Sequence, residues 1–232
     1  VTSGEVTATV TSGAASVLNA LTTTSTDAIT MTVNAEAASA ATQASDLVSL
    51  NGKTNQVITM TAVTKVSGSY ADLLDVYVTN AGQYNGEGDE AVTITGTVTA
   101  TQADAIADVT SGVVTATINA DTAAALNSAL SDAQVNAYTL TINGSSATAS
   151  EITSLDNKTS GNITLSGTSM TITVASGETL NLSGVTNSLS GTLTINDSTG
   201  DNNIKGTSAN DTLTLSSGND TINLGNGDDI IN

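Results

Sequence analysis

The sequence predicts a mainly β chain, an elongated parallel β-solenoid with short helices between its strands. Three observations predict it. Short runs alternate apolar residues with Thr, apolar stripes at helical spacing lie between those runs, and the C-terminal tract divides into units of nine residues.

The strands come first along the chain. Val6-Thr7-Ala8-Thr9-Val10, Ile29-Thr30-Met31-Thr32-Val33 and Ile58-Thr59-Met60-Thr61-Ala62 share one style. Val92-Thr93-Ile94-Thr95, Val114-Thr115-Ala116-Thr117-Ile118, Leu140-Thr141-Ile142 and Ile163-Thr164-Leu165 continue it. Side chains alternate across a strand, so each run buries an apolar face and shows hydroxyls on the other. With almost no aromatic residues, the core is thin and built from Val, Ile, Leu and Ala. Such a core suits stacked layers better than a sphere.

The helical stripes follow. Ala103, Ile106 and Ala107 share one face after Thr101, a candidate cap with Asp104 three residues on. Asp121 is the candidate cap for Ala125, Leu126, Ala129 and Leu130. Ile152 and Leu155 follow Ser150, and Tyr70, Leu73, Leu74 and Tyr77 form a further stripe. A helix between strands supplies the crossover that parallel pairing needs. An antiparallel sandwich with irregular links would use the same alternation, and stays open at this point.

Beyond about Ser160 the helical links vanish. Met170-Thr171-Ile172-Thr173-Val174, Leu180-Asn181-Leu182 and Leu193-Thr194-Ile195 are joined by Gly and Ser turns. This change of character sets an expected boundary near Asn187, between a Thr/Ala-rich body of residues 1–187 and a C-terminal part of residues 188–232. The pattern is cut at both ends, so the chain is expected to be a piece of something longer.

The last 36 residues carry the chemistry. Residues 206–214, 215–223 and 224–232 are nonapeptides in register, and 197–205 is a weaker copy with Asn202 at the sixth place. Asp211, Asp220 and Asp229 stand at that place in the other three, and Leu213, Ile222 and Ile231 two residues later. Gly218 and Gly227 permit turns that point carbonyl oxygens inward. Clustered carboxylates and carbonyls are the oxygen donors that calcium takes. Asn, Asp and Gly also suit plain hydrophilic turns. Three units in register, each with an apolar residue two places after its Asp, favour the metal.

These units resemble the G-G-x-G-x-D-x-U-x nonapeptide of RTX proteins, although the first glycine occurs only as Gly206. The resemblance implies a calcium β-roll that ends the solenoid and continues beyond the C-terminus. It implies turns stacked on turns two units later, with Asn202 facing Asp220 and Asp211 facing Asp229. The implied calcium ligands come from Gly200, Asn202, Gly206, Ser208, Asn210, Asp211, Ser217, Gly218, Asn219, Asp220, Asn226, Gly227, Asp228 and Asp229. A second loop, residues 85–93, mimics the unit with Glu90 at the sixth place and Val92 at the eighth. Glu87, Asp89 and Glu90 are therefore weaker candidate ligands, and a solvated acidic hairpin turn would use the same residues.

Composition excludes much else. Four Lys+Arg against 22 Asp+Glu give a net charge of −18, with no basic stripe for nucleic acid or anionic membrane. There is no His and no Cys, so imidazole catalysis, thiol nucleophiles and disulfides are absent. No Gly-rich phosphate loop with its Lys occurs, and no apolar run reaches membrane-spanning length. An enzyme is not expected. The Thr/Ala/Gly-rich, Cys-free chain with its nonapeptide tract is similar to RTX-type surface-layer proteins. That similarity implies a module secreted by a bacterium through a type I system, folding on extracellular calcium and self-associating into a lattice or filament at the cell surface. Cell-surface polysaccharide is a further expected partner. The stalk of a large RTX adhesin, or the C-terminal export module of a secreted hydrolase or lyase, stays open as an alternative.

Overall fold

A computed structural model describes residues 4–37, 40–130 and 134–232. The chain is mainly strands in several parallel sheets, with short helices between them. Every strand pair with a described register is parallel, which overturns the antiparallel alternative. Two compact units divide it: Val1–Val98 with Gln102–Thr117, and Thr99–Thr101 with Ile118–Asn232. The change of character expected near Asn187 lies inside the second unit. Among the described residues no helix is long and apolar enough to cross a membrane.

In the first unit, Thr7–Thr9 pairs with Ala28–Thr30, and Thr42–Gln43 with Lys65–Gly68 and then Ala91–Val98. The apolar–Thr alternation works as expected in most runs. Ile29, Met31 and Val33 are buried, as are Ile58 and Met60, and Val92 and Ile94. The first run departs from it. Thr7–Thr9 is exposed throughout and Val6 is 38% exposed, and among the described residues this strand pairs with one neighbour, Ala28–Thr30.

Helices form where stripes meet caps. The Tyr70–Leu74 helix opens on Ser69, whose hydroxyl accepts the Asp72 N–H, and runs on into a π-helical turn at Asp75–Thr79. Of the expected stripe Leu73 and Tyr77 are buried and Tyr70 and Leu74 half-buried, and Val76 is buried with them. Ala44–Asn51, which the sequence did not mark, buries Ala44, Leu47 and Leu50. Two expected caps move. The helix containing Ala103, Ile106 and Ala107 spans Ala100–Ala107, so Thr101 lies inside it. The Ala123–Ala129 helix is capped by Thr122, which accepts the Ala125 N–H, while Asp121 holds the Thr122 amide instead. Ala149–Lys158 opens on a reciprocal cap between Thr148 and Glu151.

A buried Thr recurs at the corner after three helices. Thr54 donates to the Ile29 carbonyl at 2.8 Å, Thr110 to Glu90 at 2.8 Å and Thr159 to Tyr138 at 2.7 Å. Each hydroxyl also accepts the amide two residues on, from Gln56, Gly112 and Gly161. The staple ties each strand start to a strand start some twenty residues earlier and satisfies backbone groups that burial would otherwise orphan. At Gly161 a Cβ would stand 2.2 Å from the Tyr138 carbonyl, so only glycine admits the close approach.

The second unit carries its strands into the C-terminal tract. One sheet orders Ser146–Thr148, Met170–Val174, Leu193–Asp197, Asp211–Thr214 and Ile230–Ile231. A second orders Thr179–Asn181, Asn203–Lys205 and Thr221–Asn223. The step between partners shortens along the first sheet. Met170 pairs with Leu193, twenty-three residues on, but Leu193 pairs with Asp211 and Thr212 with Ile230, each eighteen on. Eighteen residues are two nonapeptides. Odd and even units thus feed different sheets.

Candidate metal centre

The nine-residue units of the tract stack on the unit two places away, as the resemblance to the RTX nonapeptide implied. Asp220 Oδ1 accepts the Asn202 N–H at 3.0 Å, and Asp229 Oδ1 accepts the Asp211 N–H at 3.0 Å, each across eighteen residues. The fifth positions mirror this. Asp201 Oδ1 accepts the Asn219 N–H and Asn210 Oδ1 the Asp228 N–H, both at 2.9 Å. Strand pairing carries the same register, with Ile204 opposite Ile222 and Leu213 opposite Ile231.

Glycine lets the turns approach. A Cβ at Gly218 would stand 2.1 Å from the Gly200 carbonyl oxygen, and the Gly200 N–H donates to Ser217 O at 2.9 Å. Gly225 and Gly227 hold φ of 94° and 132°, and Cβ atoms there would fall 2.1 Å from Thr207 O and 2.8 Å from Ala209 O. Backbone carbonyls of one turn therefore lie pressed against the glycines of the next turn on the same side. Beside them stand the Asp211 and Asp229 carboxylates.

Asp211 is the buried member, 1% exposed. Burial pushes its carboxyl above the ordinary carboxylate range; the Thr207 amide and hydroxyl bonds pull the other way, and the Asp229 charge adds to the rise. Thr207 donates its N–H to Oδ2 at 2.8 Å and its hydroxyl to Oδ1 at 3.0 Å. Gly206 is buried against Asp211 Oδ2 and the Leu224 carbonyl. Ser208, Asn226 and Asp228 are exposed on the turn surface.

The first turn is built differently. The Asn202 side-chain amide donates to Asp197 Oδ1, to Ser198 O at 2.9 Å and to Gly200 O at 3.3 Å, while its oxygen accepts the Glu178 N–H at 3.0 Å. An NH₂ group thus faces the three oxygens, and the Asn202 oxygen points away from them. Asp197 and Thr207, absent from the sequence-derived ligand set, turn out to organise the first two turns. Asp197 Oδ2 also accepts the Ser216 N–H at 3.0 Å. Their signal was position: Asp197 stands where the first glycine of a consensus unit would, and Thr207 where the second glycine of the following unit would.

Ile204 and Leu213 are fully buried, Ile222 is half-buried and Ile231 is 55% exposed, and the Ile230–Ile231 strand pairs with Asp211–Thr214. The acidic loop at residues 85–90 lies in the first unit, with Glu90 enclosed and Asp89 exposed. Among the described residues no three Asp or Glu side chains already converge on one point. A cation in the roll would therefore draw on two carboxylates and on carbonyls, a donor set of hard oxygens that suits calcium.

No curated protein and no solved structure matches the chain. Residues 197–231 match the family of the RTX calcium-binding nonapeptide repeat (4 copies), the segment in which the four units stack, and this supports a calcium-binding module of RTX type there.

Proposed function

We propose that this chain is a structural module, not an enzyme, of a bacterial surface protein that is secreted, folds on extracellular calcium and assembles at the cell surface as a surface layer. The stacking of Asp229 on Asp211, with the carbonyls of Thr207 and Ala209 against the glycines of the later turn, carries the reading. Residues 188–232 are the calcium-responsive part, and residues 1–187 the body to which it is joined. The parallel coils of the second unit narrow into the roll as a β-solenoid.

The chain's own residues supply the switch. Asp211, Asp229 and the turn carbonyls would hold calcium, and Asp220 with the Gly200 and Ser217 region would hold it less tightly. Without the ion, a net charge of −18 repels itself and the Asp211 carboxylate is buried at a cost. Bound calcium supplies the positive charge that offsets both. An ion at one hundred times its Kd adds about 2.7 kcal/mol per site, enough to fold a small roll outside a cell and leave it loose inside. The outward Thr and Asn faces of the strands offer hydroxyls and amides for lattice contacts or for surface polysaccharide.

The test is a calcium titration of the whole chain followed by circular dichroism and by light scattering. A gain of β signal and the growth of sheets or filaments at millimolar calcium are expected. A chain that stays monomeric with an unchanged spectrum at that concentration contradicts the reading.

A further inference from the structure

The two sides of the roll are built differently. Units 197–205 and 215–223 stack on one side, units 206–214 and 224–232 on the other. The sixth position of the leading unit is buried in both, Asn202 at 3% exposure and Asp211 at 1%. Only the second of them carries a charge.

The Asn202 side-chain amide donates to Asp197 Oδ1, Ser198 O and Gly200 O. Two amide protons, with their partial positive charge, thus sit where a carboxylate and two carbonyls converge, oxygens of the kind that calcium takes. The amide oxygen is held away from them by the Glu178 N–H at 3.0 Å, and Glu178 O accepts the Asn203 N–H at 3.1 Å. The partner turn closes on this centre through direct bonds. Ser216 N–H donates to Asp197 Oδ2 at 3.0 Å and Asn219 N–H to Asp201 Oδ1 at 2.9 Å. Gly200 N–H donates to Ser217 O at 2.9 Å, and Asn202 N–H to Asp220 Oδ1 at 3.0 Å. None of these bonds needs an ion. On the other side the same place holds the Asp211 carboxylate, with the charge of Asp229 pushing against it.

We propose that the Asn202 amide stands in for the ion on the first side. That side closes without calcium, and the ion is needed only between Asp211 and Asp229. The closed side, anchored to the preceding coil through Glu178, is the template on which the second side assembles when calcium arrives. An ion enters the first side only by expelling the amide, which makes that site the weaker one. The proposal rests on the calcium reading of Asp211 and Asp229 given above.

Backbone amide exchange, followed by nuclear magnetic resonance on the whole chain with and without calcium, tests it. Without calcium the Gly200, Asn202, Ser216 and Asn219 amides are expected to be protected, and the Asp211 and Asp228 amides to exchange fast. Calcium at one hundred times its Kd should slow the last two about a hundredfold and leave the first four unchanged. Asn202→Asp, which exchanges one NH₂ for an oxygen, should make the Ser216 and Asn219 amides fast without calcium and protected with it. First-side amides that exchange fast in the calcium-free native chain and slow together with Asp211 overturn the proposal and leave the calcium reading standing. First-side protection that survives Asn202→Asp without calcium also overturns it. No calcium response at Asp211 and Asp228 overturns the proposal together with the reading on which it rests.

Discussion

Asp229 Oδ1 accepts the backbone N–H of Asp211 at 3.0 Å, across the eighteen residues that make two nonapeptides. One bond thus links two turns that each bring a carboxylate to the same side of the roll. Asp211 carries the larger electrostatic cost, being 1% exposed.

Asp211→Asn is expected to separate that cost from its use. A carboxyl whose folded pKa is raised costs nothing below its ordinary value of 3.8, where both states are protonated. The penalty grows as pH rises from there to the raised folded value, and persists above it. Calcium-free Asp211→Asn should therefore unfold at higher temperature than the native chain at pH 7 and at the same temperature near pH 3. Its calcium-induced rise in melting temperature should be lost. Thermal melts by circular dichroism at both pH values, with and without calcium, check this.

Asn202→Asp is expected to act in the opposite sense. It replaces an amide that donates to Asp197, Ser198 and Gly200 with a carboxylate that cannot. Without calcium the variant should lose about 1–3 kcal/mol, the cost of leaving buried acceptors unpaired beside a new charge. With calcium it should recover and bind more ion than the native chain. Calorimetric titration gives the stoichiometry; an unchanged count means the first turn cannot open to a metal.

Thr159→Val keeps the shape of the corner staple and removes its oxygen. The Tyr138 N–H and carbonyl and the Gly161 N–H all bond to that hydroxyl. A loss of about 2–4 kcal/mol is expected from orphaning buried backbone groups, measured by urea unfolding. Because the staple lies outside the roll, the calcium response should be kept.

Asp27→Asn probes the acid limit of the first unit. Asp27 accepts the Val6 and Thr24 amides at 2.8 Å each, and the Thr24 and Val6 bonds hold its carboxyl below the ordinary range. A lowered folded pKa gives stability that is present above the unfolded value and lost as pH falls through the folded one. The native chain should thus lose stability between about pH 4 and the lower folded value. The Asn variant should be flatter there and less stable at neutral pH.

The apolar–Thr runs, the helical stripes and the nonapeptide register were written in the sequence because each depends on chemistry repeated at fixed spacing. Alternation fixes which side of a strand can be buried, and the nine-residue register is read directly, whereas the eighteen-residue return was implied by the resemblance to the RTX nonapeptide. Parallel pairing was legible from the helical links. Three things were decided only in the folded chain. The degree of burial along one pattern, full at Ile204 and half at Ile222, depends on what packs over each strand. The Thr54, Thr110 and Thr159 staples join residues twenty or more positions apart, and their Thr looks like any other in a Thr-rich chain. The direction of the Asn202 amide, toward the oxygens and not away from them, was set by the Glu178 N–H on one side and Asp197 on the other. A sequence states which donors and acceptors exist; packing chooses among the partners that several of them could serve.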